Sequence, residues 1–318
     1  MRKICSLASG AAILAAVTAL CFLGEYLSLG DRLSHFPIYW ALFALVIVVC
    51  SLFGKRWKLC ALGGLLFLVH AVPVASLWVP EDLVPSASER VAELIVVSAN
   101  LFSDNARKPE ALAKLMELSP DVLVLMEVTG EWQAVLKPVF EKFPHTLGTG
   151  EGTWLLSRHP LRMAQCTEMK AAGSAEFSAL SEATVIVSGS AIRVVAIHAL
   201  TPRGSARIAR QWNQATDYAQ ALQRDKDAPN QMLIGDFNTT PFSAVFRHIV
   251  HTTGLRDSSK GRGYHPTWGP RLPKEPMLPW LGIPIDHALV SDQVLVEDRR
   301  VGEMPGSDHR YQQLKLRF

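Results

Sequence analysis

Eight polar side chains in this sequence stand at the ends of β-rich runs, and their types suit one kind of chemistry. Asn100 follows VVSA, Glu127 follows VLVLM, His198 follows RVVAI, Asp236 and Asn238 follow MLIG, Asp286 opens a run beside His287, and Asp308 and His309 stand just before the last one. Ligand sites in α/β sheets gather at strand ends, where the strand fixes the side chain and the loop leaves room for substrate. Taken singly, each has an ordinary explanation: an Asn in a turn, a Glu paired with a surface Lys, a His packed and satisfied. Together they form an oxygen-rich set suited to a hard divalent cation such as Mg²⁺ or Mn²⁺. Zinc would favour clusters such as HExxH or CxxC, and neither occurs; there is also no Gly-rich phosphate loop. Hydrolysing a phosphate ester requires a positioned water, stabilisation of charge on the phosphoryl oxygens and help for the leaving oxygen. Carboxylates, imidazoles and amides around a metal supply all three.

The elements that must hold these residues alternate in type. Glu93–Ala99, Asp121–Met126, Thr153–Ser157, Ala183–Val187, Arg193–Ile197, Gln231–Ile234 and His287–Val290 read as strands, several continuously apolar and therefore buried on both faces. Pro109–Leu118 and Ser205–Leu222 read as helices; in the second, Ile208, Trp212, Ala215, Ala219 and Leu222 recur at intervals of three and four. SGSA between Val187 and Ile192 is a turn joining two strands directly, so the sheet is not purely parallel. The expected class is a mixed α/β sandwich. Period-two alternation sends His287 to the opposite face of its strand from Asp286, which leaves it outside the site. His145, His248, His251 and His265 have no comparable context and read as solvated.

Of the 318 residues, 49% are apolar and 19% charged, more apolar than a soluble domain of this length needs, and disorder or a collagen-like chain is excluded. The excess lies in three stretches of about 20 residues, 4–24, 36–54 and 59–78, each long enough to cross a hydrocarbon core of roughly 30 Å. They predict three membrane helices, with residues 1–79 as an anchor that meets the bilayer through residues 4–78. Arg2 and Lys3 precede the first stretch and Lys55, Arg56 and Lys58 fill the second loop, whereas the first loop has Glu25 and Asp31 against Arg32. Positive segments stay inside, so the chain should emerge outside the cytoplasm after Trp78. The third stretch contains His70 and Pro73; His70 reads as a neutral imidazole paired within the bundle. Residues 80–91 read as a linker, and residues 92–318 as a domain large enough for one core.

The net charge is +3, but residues 1–80 hold six Lys/Arg and two Asp/Glu, a net +4 that leaves −1 for residues 81–318. Nucleic-acid binding by counterion release therefore gets no support from charge. Four of the five cysteines lie in or beside the apolar stretches, leaving Cys166 alone, so no intramolecular disulfide framework is expected.

SAN at 98–100, LMEV at 125–128, LLSRHPL at 155–161, IHAL at 197–200, IGDFNTTP at 234–241, PTW at 266–268, PIDHALVS at 284–291 and GSDHR at 306–310 stand in the order found in the endonuclease/exonuclease/phosphatase family. Over residues 92–318 the chain resembles that family, and with its apolar N-terminus it resembles the membrane-anchored bacterial branch. The resemblance implies a four-layer sandwich, two mixed β-sheets face to face with helices outside, preceded here by three transmembrane helices. It also implies a metal-dependent phosphoesterase site in a protein of the bacterial inner (cytoplasmic) membrane, its catalytic domain periplasmic. By similarity, Asn100 and Glu127 hold the divalent cation and Asp308 completes the metal side. Asp236 orients or deprotonates the attacking water, Asn238 binds a phosphoryl oxygen, and His198 donates to the phosphoryl group. His309 contacts the phosphate as an acid/base group, its tautomer fixed by Asp286. Phe102 stands where some family nucleases carry an acidic residue, and Arg158 and His159 lie in a pattern that reads as structural.

The family fixes the reaction better than the substrate. A tether of about a dozen residues, at most ~40 Å long, keeps lipid headgroups within reach. The Pro-rich segment 268–284 carries Trp268, Leu278, Trp280 and Leu281, which either cover the domain's own core or dip into a membrane interface. A lipid headgroup or small phosphoester is the favoured substrate. The alternatives are an endo- or exonuclease with the same mechanism, and a catalytically silent membrane binding protein.

Overall fold

The computed structural model describes residues 2–80, 92–148, 152–170, 177–270 and 281–318. The expected linker, apart from Pro80, and Leu278 and Trp280 of the Pro-rich segment lie outside the described residues.

Helices α1 (Arg2–Phe22), α2 (Ser28–Ser34), α3 (Pro37–Phe53) and α4 (Trp57–Ala75) come first. Three packed helices replace the three expected spans only in part. Trp57–Trp78 is long and apolar enough to cross a membrane; α3 reaches that length only together with α2, from which it is bent by 75°; and Leu7–Phe22 is too short. The run read as 36–54 is cut to 17 residues because Pro37 starts a new helix and Gly54 ends it. Ala11, Leu14, Ala44, Ile47 and Leu66 form the seam of the bundle. Gly63 lets α4 approach α3 closely, since a Cβ there would lie 3.0 Å from Val48 Cγ2. His70 pairs with Thr18 at 2.9 Å inside the bundle, as the sequence suggested.

The following domain holds two six-stranded sheets. The first has the order β11 (Leu295–Glu303), β12 (Arg310–Arg317), β1 (Glu93–Asn100), β2 (Val122–Val128), β4 (Gly152–Ser157), β3 (His145–Leu147); the second has β5 (Leu161–Lys170), β6 (Phe177–Val187), β7 (Ser190–His198), β8 (Asn230–Asp236), β10 (Asp286–Val290), β9 (Arg256–Asp257). Both are mixed: β1–β2 and β7–β8 are parallel and their other pairings antiparallel. The continuously apolar strands β2 and β8 are buried on both faces, which requires a layer on each side. Val96, Val124, Val194 and Ile234 meet in the core between the sheets. Helices α5 (Lys108–Glu117), α6 (Gly130–Val135) and α7 (Lys137–Phe140) cover the first sheet, with Leu115, Trp132 and Val139 inward. Helices α8 (Ser205–Gln223) and α9 (Ala244–Thr253) cover the second, with Ile208, Ala215, Leu222 and Phe246 inward. Ser188 (φ +49°) and Gly189 (φ +87°) form the two-residue turn between β6 and β7, both left-handed as such a hairpin demands.

The bundle docks on this domain through α2. Asp31, fully buried, accepts hydrogen bonds from the backbone N–H groups of Ala244 (2.8 Å) and Val245 (3.3 Å), and His35 Nδ1 accepts from Thr240 N–H at 3.3 Å. Ser243 accepts from Phe246 N–H and donates its own N–H to Thr240 O, so all four free amides at the start of α9 are satisfied. At the exit of α4, Leu77 O accepts from Gly263 N–H at 3.0 Å.

Candidate active site

Strand register brings the polar residues to one place. His198 stands opposite Asp236 across the parallel β7–β8 pair, and Asp286 opposite Asp236 across β8–β10. In the facing sheet, Asn100 pairs with Met126, next to Glu127, while Ser98 pairs with Gln312, which sets His309 just beyond the end of β1. Asn100 Nδ2 donates to Glu127 Oε1 at 3.0 Å and, across the core, to Asp236 Oδ2 at 3.2 Å. The same Asp236 oxygen faces His198 Nε2 at 3.6 Å and His309 Nε2 at 3.7 Å. One carboxylate oxygen thus meets nitrogens from three separate segments.

Unusual backbone aims these side chains. Phe102 (φ +60°), Glu127 (φ +57°) and Asn238 (φ +50°) are left-handed without being glycine, a conformation of about 1–3 kcal/mol that persists where surroundings over-determine it. Glu127 lies where the β2–β4 register slips between Leu125 and Val128; this bulge turns its carboxylate towards Asn100 and Ser103, whose N–H donates to Oε2 at 2.8 Å. Phe102 N–H donates to Asn100 Oδ1 at 3.1 Å. Asn238 N–H donates to Asp236 Oδ1 at 2.8 Å and its side-chain Nδ2 to Ala199 O at 2.8 Å. Gly235 (φ +140°) allows β8 to lie against β7: a Cβ there would stand 2.0 Å from Ile197 O.

His309 Nδ1–H donates to Asp286 Oδ2 at 2.9 Å, which points Nε2 towards Asp236. Thr267 Oγ1 holds Asp286 by accepting from its N–H and from that of Ile285. Ser307 Oγ donates to Asn100 O and accepts from His309 N–H, tying the two sides of the site together. Trp268 Nε1–H donates to Asp308 Oδ2 at 3.0 Å. His287 points the other way, its Nε2 against Thr239 O and its ring against Phe237 and Phe246.

Burial pushes the Asp236 carboxyl up to about 6, with neighbouring Asp286 adding to the rise and the two imidazoles opposing it. Burial alone would lower His309, but the carboxylates of Asp286 and Asp236 outweigh it and raise the imidazolium well above its ordinary value. For Glu127, burial raises, yet His198, the Ser103 N–H and the Asn100 amide together hold it below the usual carboxylate range. A carboxylate lifted towards neutral pH, a cationic imidazole and a firmly ionised carboxylate therefore share one cleft.

The cleft, about 680 Å³, is floored by Glu127, His198, Asp236, Asn238, Asp308 and His309. A hard divalent cation fits its donors. Among the described residues, ligand atoms of Asp236, Asp286 and His309 lie within 4.8 Å of one another, and Asp286 Oδ1 is buried without a hydrogen-bond partner. Since Asp286 and His309 are bonded to each other, Glu127 and Asp308, free of that bond and on the same cleft, are the better candidates to face a cation.

All eight residues singled out from the sequence converge here: seven by direct contact around Asp236, Glu127 and His309, and Asp308 on the same cleft wall. Arg158 lies over the Phe143 ring and His159 is tied into a turn by Ser157, structural as expected. His251 and His265 are exposed, whereas His248 is half-buried and stacked on Trp212. Trp268 does not dip outwards; it braces Asp308 and lines the cleft. Sequence reasoning missed Thr267 and Ser307, although the PTW and GSDHR segments that contain them were in view. It also missed Arg32, His35 and Phe36, which line the cleft from the N-terminal bundle.

Residues 97–309, from the middle of β1 to His309, match the model of the Endonuclease/Exonuclease/phosphatase family. An endonuclease/exonuclease/phosphatase from Beutenbergia cavernae has a similar structure (TM-score 0.56, 21% identity, 71% of this chain and 72% of that one). So have D. rerio TDP2 complexed with a single-strand DNA product (0.57, 16%, 70% and 98%) and sphingomyelinase C from Streptomyces griseocarneus (0.53, 15%, 70% and 99%). Comparison with curated proteins gives no significant match. With the family model matched over most of the domain and the site's side chains drawn to one carboxylate, the chain belongs to the endonuclease/exonuclease/phosphatase family, whose members are metal-dependent hydrolases of phosphoester bonds.

Proposed function

We propose that this protein is a membrane-anchored, divalent-metal-dependent phosphoesterase whose catalytic domain lies outside the cytoplasm and acts on a lipid headgroup or small phosphoester. The chemical half of the reading rests on one observation: Asp236 Oδ2 is met by Asn100, His198 and His309 within 3.2–3.7 Å. The membrane half is supported by the surface. Among the described residues, every exposed large hydrophobic side chain except Met163 lies between Ile13 and Val79. So much apolar surface on one region calls for a non-aqueous neighbour, and Trp57–Trp78 is long and apolar enough to enter one.

In the reaction, a water oxygen bonds to phosphorus, the ester P–O bond breaks, and the proton lost by the water balances the one gained by the leaving oxygen. Asp236 receives the water's proton or aligns it, a role suited to a carboxylate lifted towards neutral pH. His309 presents a protonated Nε2 to the phosphoryl group, with Asp286 fixing its tautomer through Nδ1. His198 donates from the opposite side, and Asn238 is placed by Asp236 and Ala199 to contact a phosphoryl oxygen. Asn100, Glu127 and Asp308 would hold Mg²⁺ or Mn²⁺, which when bound supplies Lewis-acid stabilisation of phosphoryl charge.

The test offers plasmid DNA, bis-p-nitrophenyl phosphate and phospholipid vesicles to the full-length protein with Mg²⁺ or with EDTA. Metal-dependent turnover of an ester, lost in Asp236→Ala, is the expected result; no turnover of any ester by folded protein refutes it. The likeness to TDP2 with its DNA product favours a nuclease as the second reading, against which stands the −1 charge of residues 81–318. DNA cleavage abolished by EDTA and by Asp236→Ala would decide for it.

A further inference from the structure

Building on the phosphoesterase reading, we infer that the N-terminal bundle is a wall of the catalytic cleft rather than a tether alone, and that Arg32 on this wall selects a phospholipid from the adjoining leaflet. Arg32, His35 and Phe36 line the same cleft as Glu127, Asp236 and His309. They are held there by the latch already described: Asp31 on the amides of α9, and His35 on Thr240, two residues beyond Asn238. His35 is buried and its Nδ1 accepts a hydrogen bond, so the ring is the neutral Nε2–H tautomer with Nε2 facing Asp31 Oδ2 at 3.6 Å. This histidine is a structural strut, which leaves Arg32 and Phe36 as the groups offered to a ligand.

Their chemistry matches the two ends of an anionic amphiphile. Among the described residues, the side chain of the exposed Arg32 bonds only through Nε to Ser28 O, a long 3.4 Å contact, and the exposed Arg203 lines the cleft with it. On the wall rather than the floor of the cleft, two guanidiniums complement the anionic headgroups that surround a lipid in its leaflet, which a soluble diester lacks. Phe36 is 38% exposed and immediately precedes Pro37, where α3 and its exposed Leu42, Phe43 and Leu45 begin. The cleft therefore runs from catalytic carboxylates past two cations to Phe36, where the apolar surface of α3 begins. A lipid with its phosphate on the floor can keep its acyl chains along that surface. A soluble phosphoester makes no use of this continuity.

The test compares full-length wild type, Arg32→Gln, Arg32→Lys and Phe36→Ser in lipid nanodiscs, with phosphatidylglycerol and with bis-p-nitrophenyl phosphate, at one Mg²⁺ concentration. Loss of a charge-assisted contact should cut the lipid-to-soluble ratio of kcat/KM by about ten-fold or more in Arg32→Gln. The loss should lie in KM for the lipid, with Arg32→Lys recovering part of it. Phe36→Ser should lower the same ratio without involving charge. A parallel fall for both substrates, an unchanged ratio, or faster hydrolysis of plasmid DNA than of lipid overturns the inference while leaving a phosphoesterase. Failure of wild type to hydrolyse any ester overturns both.

Discussion

Replacing Asp31 by Ala tests the docking of bundle on domain directly. The carboxylate accepts from two amides at the start of α9, is fully buried, and stands on the positive end of that helix. A hydrogen bond to a charged group contributes about 1.5–3 kcal/mol, and loss of an N-cap side chain alone costs about 1 kcal/mol. The second contact, at 3.3 Å, is long, so the pair together should contribute about 3 kcal/mol. The loss is capped by the free energy of docking itself, because a domain that releases α2 returns its α9 amides to water. For a domain of this size, each kcal/mol moves Tm by about 2–4 °C, so Asp31→Ala should unfold about 6–12 °C earlier in detergent. Asp31→Asn, which keeps an acceptor oxygen but not the charge, should lose about a third of that. Hydrogen exchange followed by mass spectrometry should quicken over residues 243–253 while β8 stays protected. Unchanged Tm together with unchanged exchange over α9 would refute the docking.

The chemistry yields further expectations. In EDTA, NMR titration of His309 should find its midpoint raised towards about 10, because the Asp286 and Asp236 carboxylates outweigh the opposing effect of burial. Asp286→Asn should bring it down. With a native value above the unfolded one, the imidazolium contributes stability that is fully present below about 6.5 and is lost as pH rises through the native value; a midpoint near 6.5 in wild type would contradict the pairing. Asp236→Ala should lower kcat/KM for any ester turned over by about 10²–10⁴-fold with the melting curve preserved; a loss below ten-fold would remove Asp236 from the chemistry. Gly235→Ala should destabilise the domain by about 3 kcal/mol or more, through a left-handed φ and a Cβ driven into Ile197 O, and a wild-type melting curve would refute the β7–β8 packing. A reporter fused after Phe318 should be active only outside the cytoplasm, and cytoplasmic activity would overturn the orientation.

What the sequence disclosed and what it concealed divide along physical lines. Strand ends were legible because β1, β2, β7 and β8 are continuous apolar runs that stop at a polar residue, and register then does the rest: His198, Asp236 and Asp286 are direct neighbours across three strands. The outward turn of His287 followed from alternation alone. By contrast, β11 (LVEDRRVGE) buries only Val296 and Arg299 and reads as polar when its charges are counted along the chain. The bulge that aims Glu127 left no trace in composition, since neither Met126 nor Glu127 is a turn former. Thr267 and Ser307 act through hydroxyls that bond backbone groups far along the chain, 18 and 207 residues away, and nothing local distinguishes them from loop residues. Asp31 is the extreme case: within a short loop between apolar runs it looked like a charge at a membrane surface, yet its partner lies 213 residues away.

The same contact bears on which side of a membrane the domain occupies. From helix α2, α3 runs 17 residues, about 25 Å at 1.5 Å per residue, to the turn that carries Lys55, Arg56 and Lys58. Helix α4 then continues unbroken through Pro73, with His70 satisfied by Thr18, and returns Leu77 to Gly263 of the domain. Had the third apolar stretch failed to traverse the thickness that α3 traverses, Leu77 would sit with the lysines and could not touch a domain that Asp31 also touches. Helix α2 and the exit at Leu77 therefore share one end of the bundle and the cations of the second turn take the other. In the proposed orientation, with the basic turn inside, the domain lies outside, and the start of α3 stands beside the cleft that Phe36 lines.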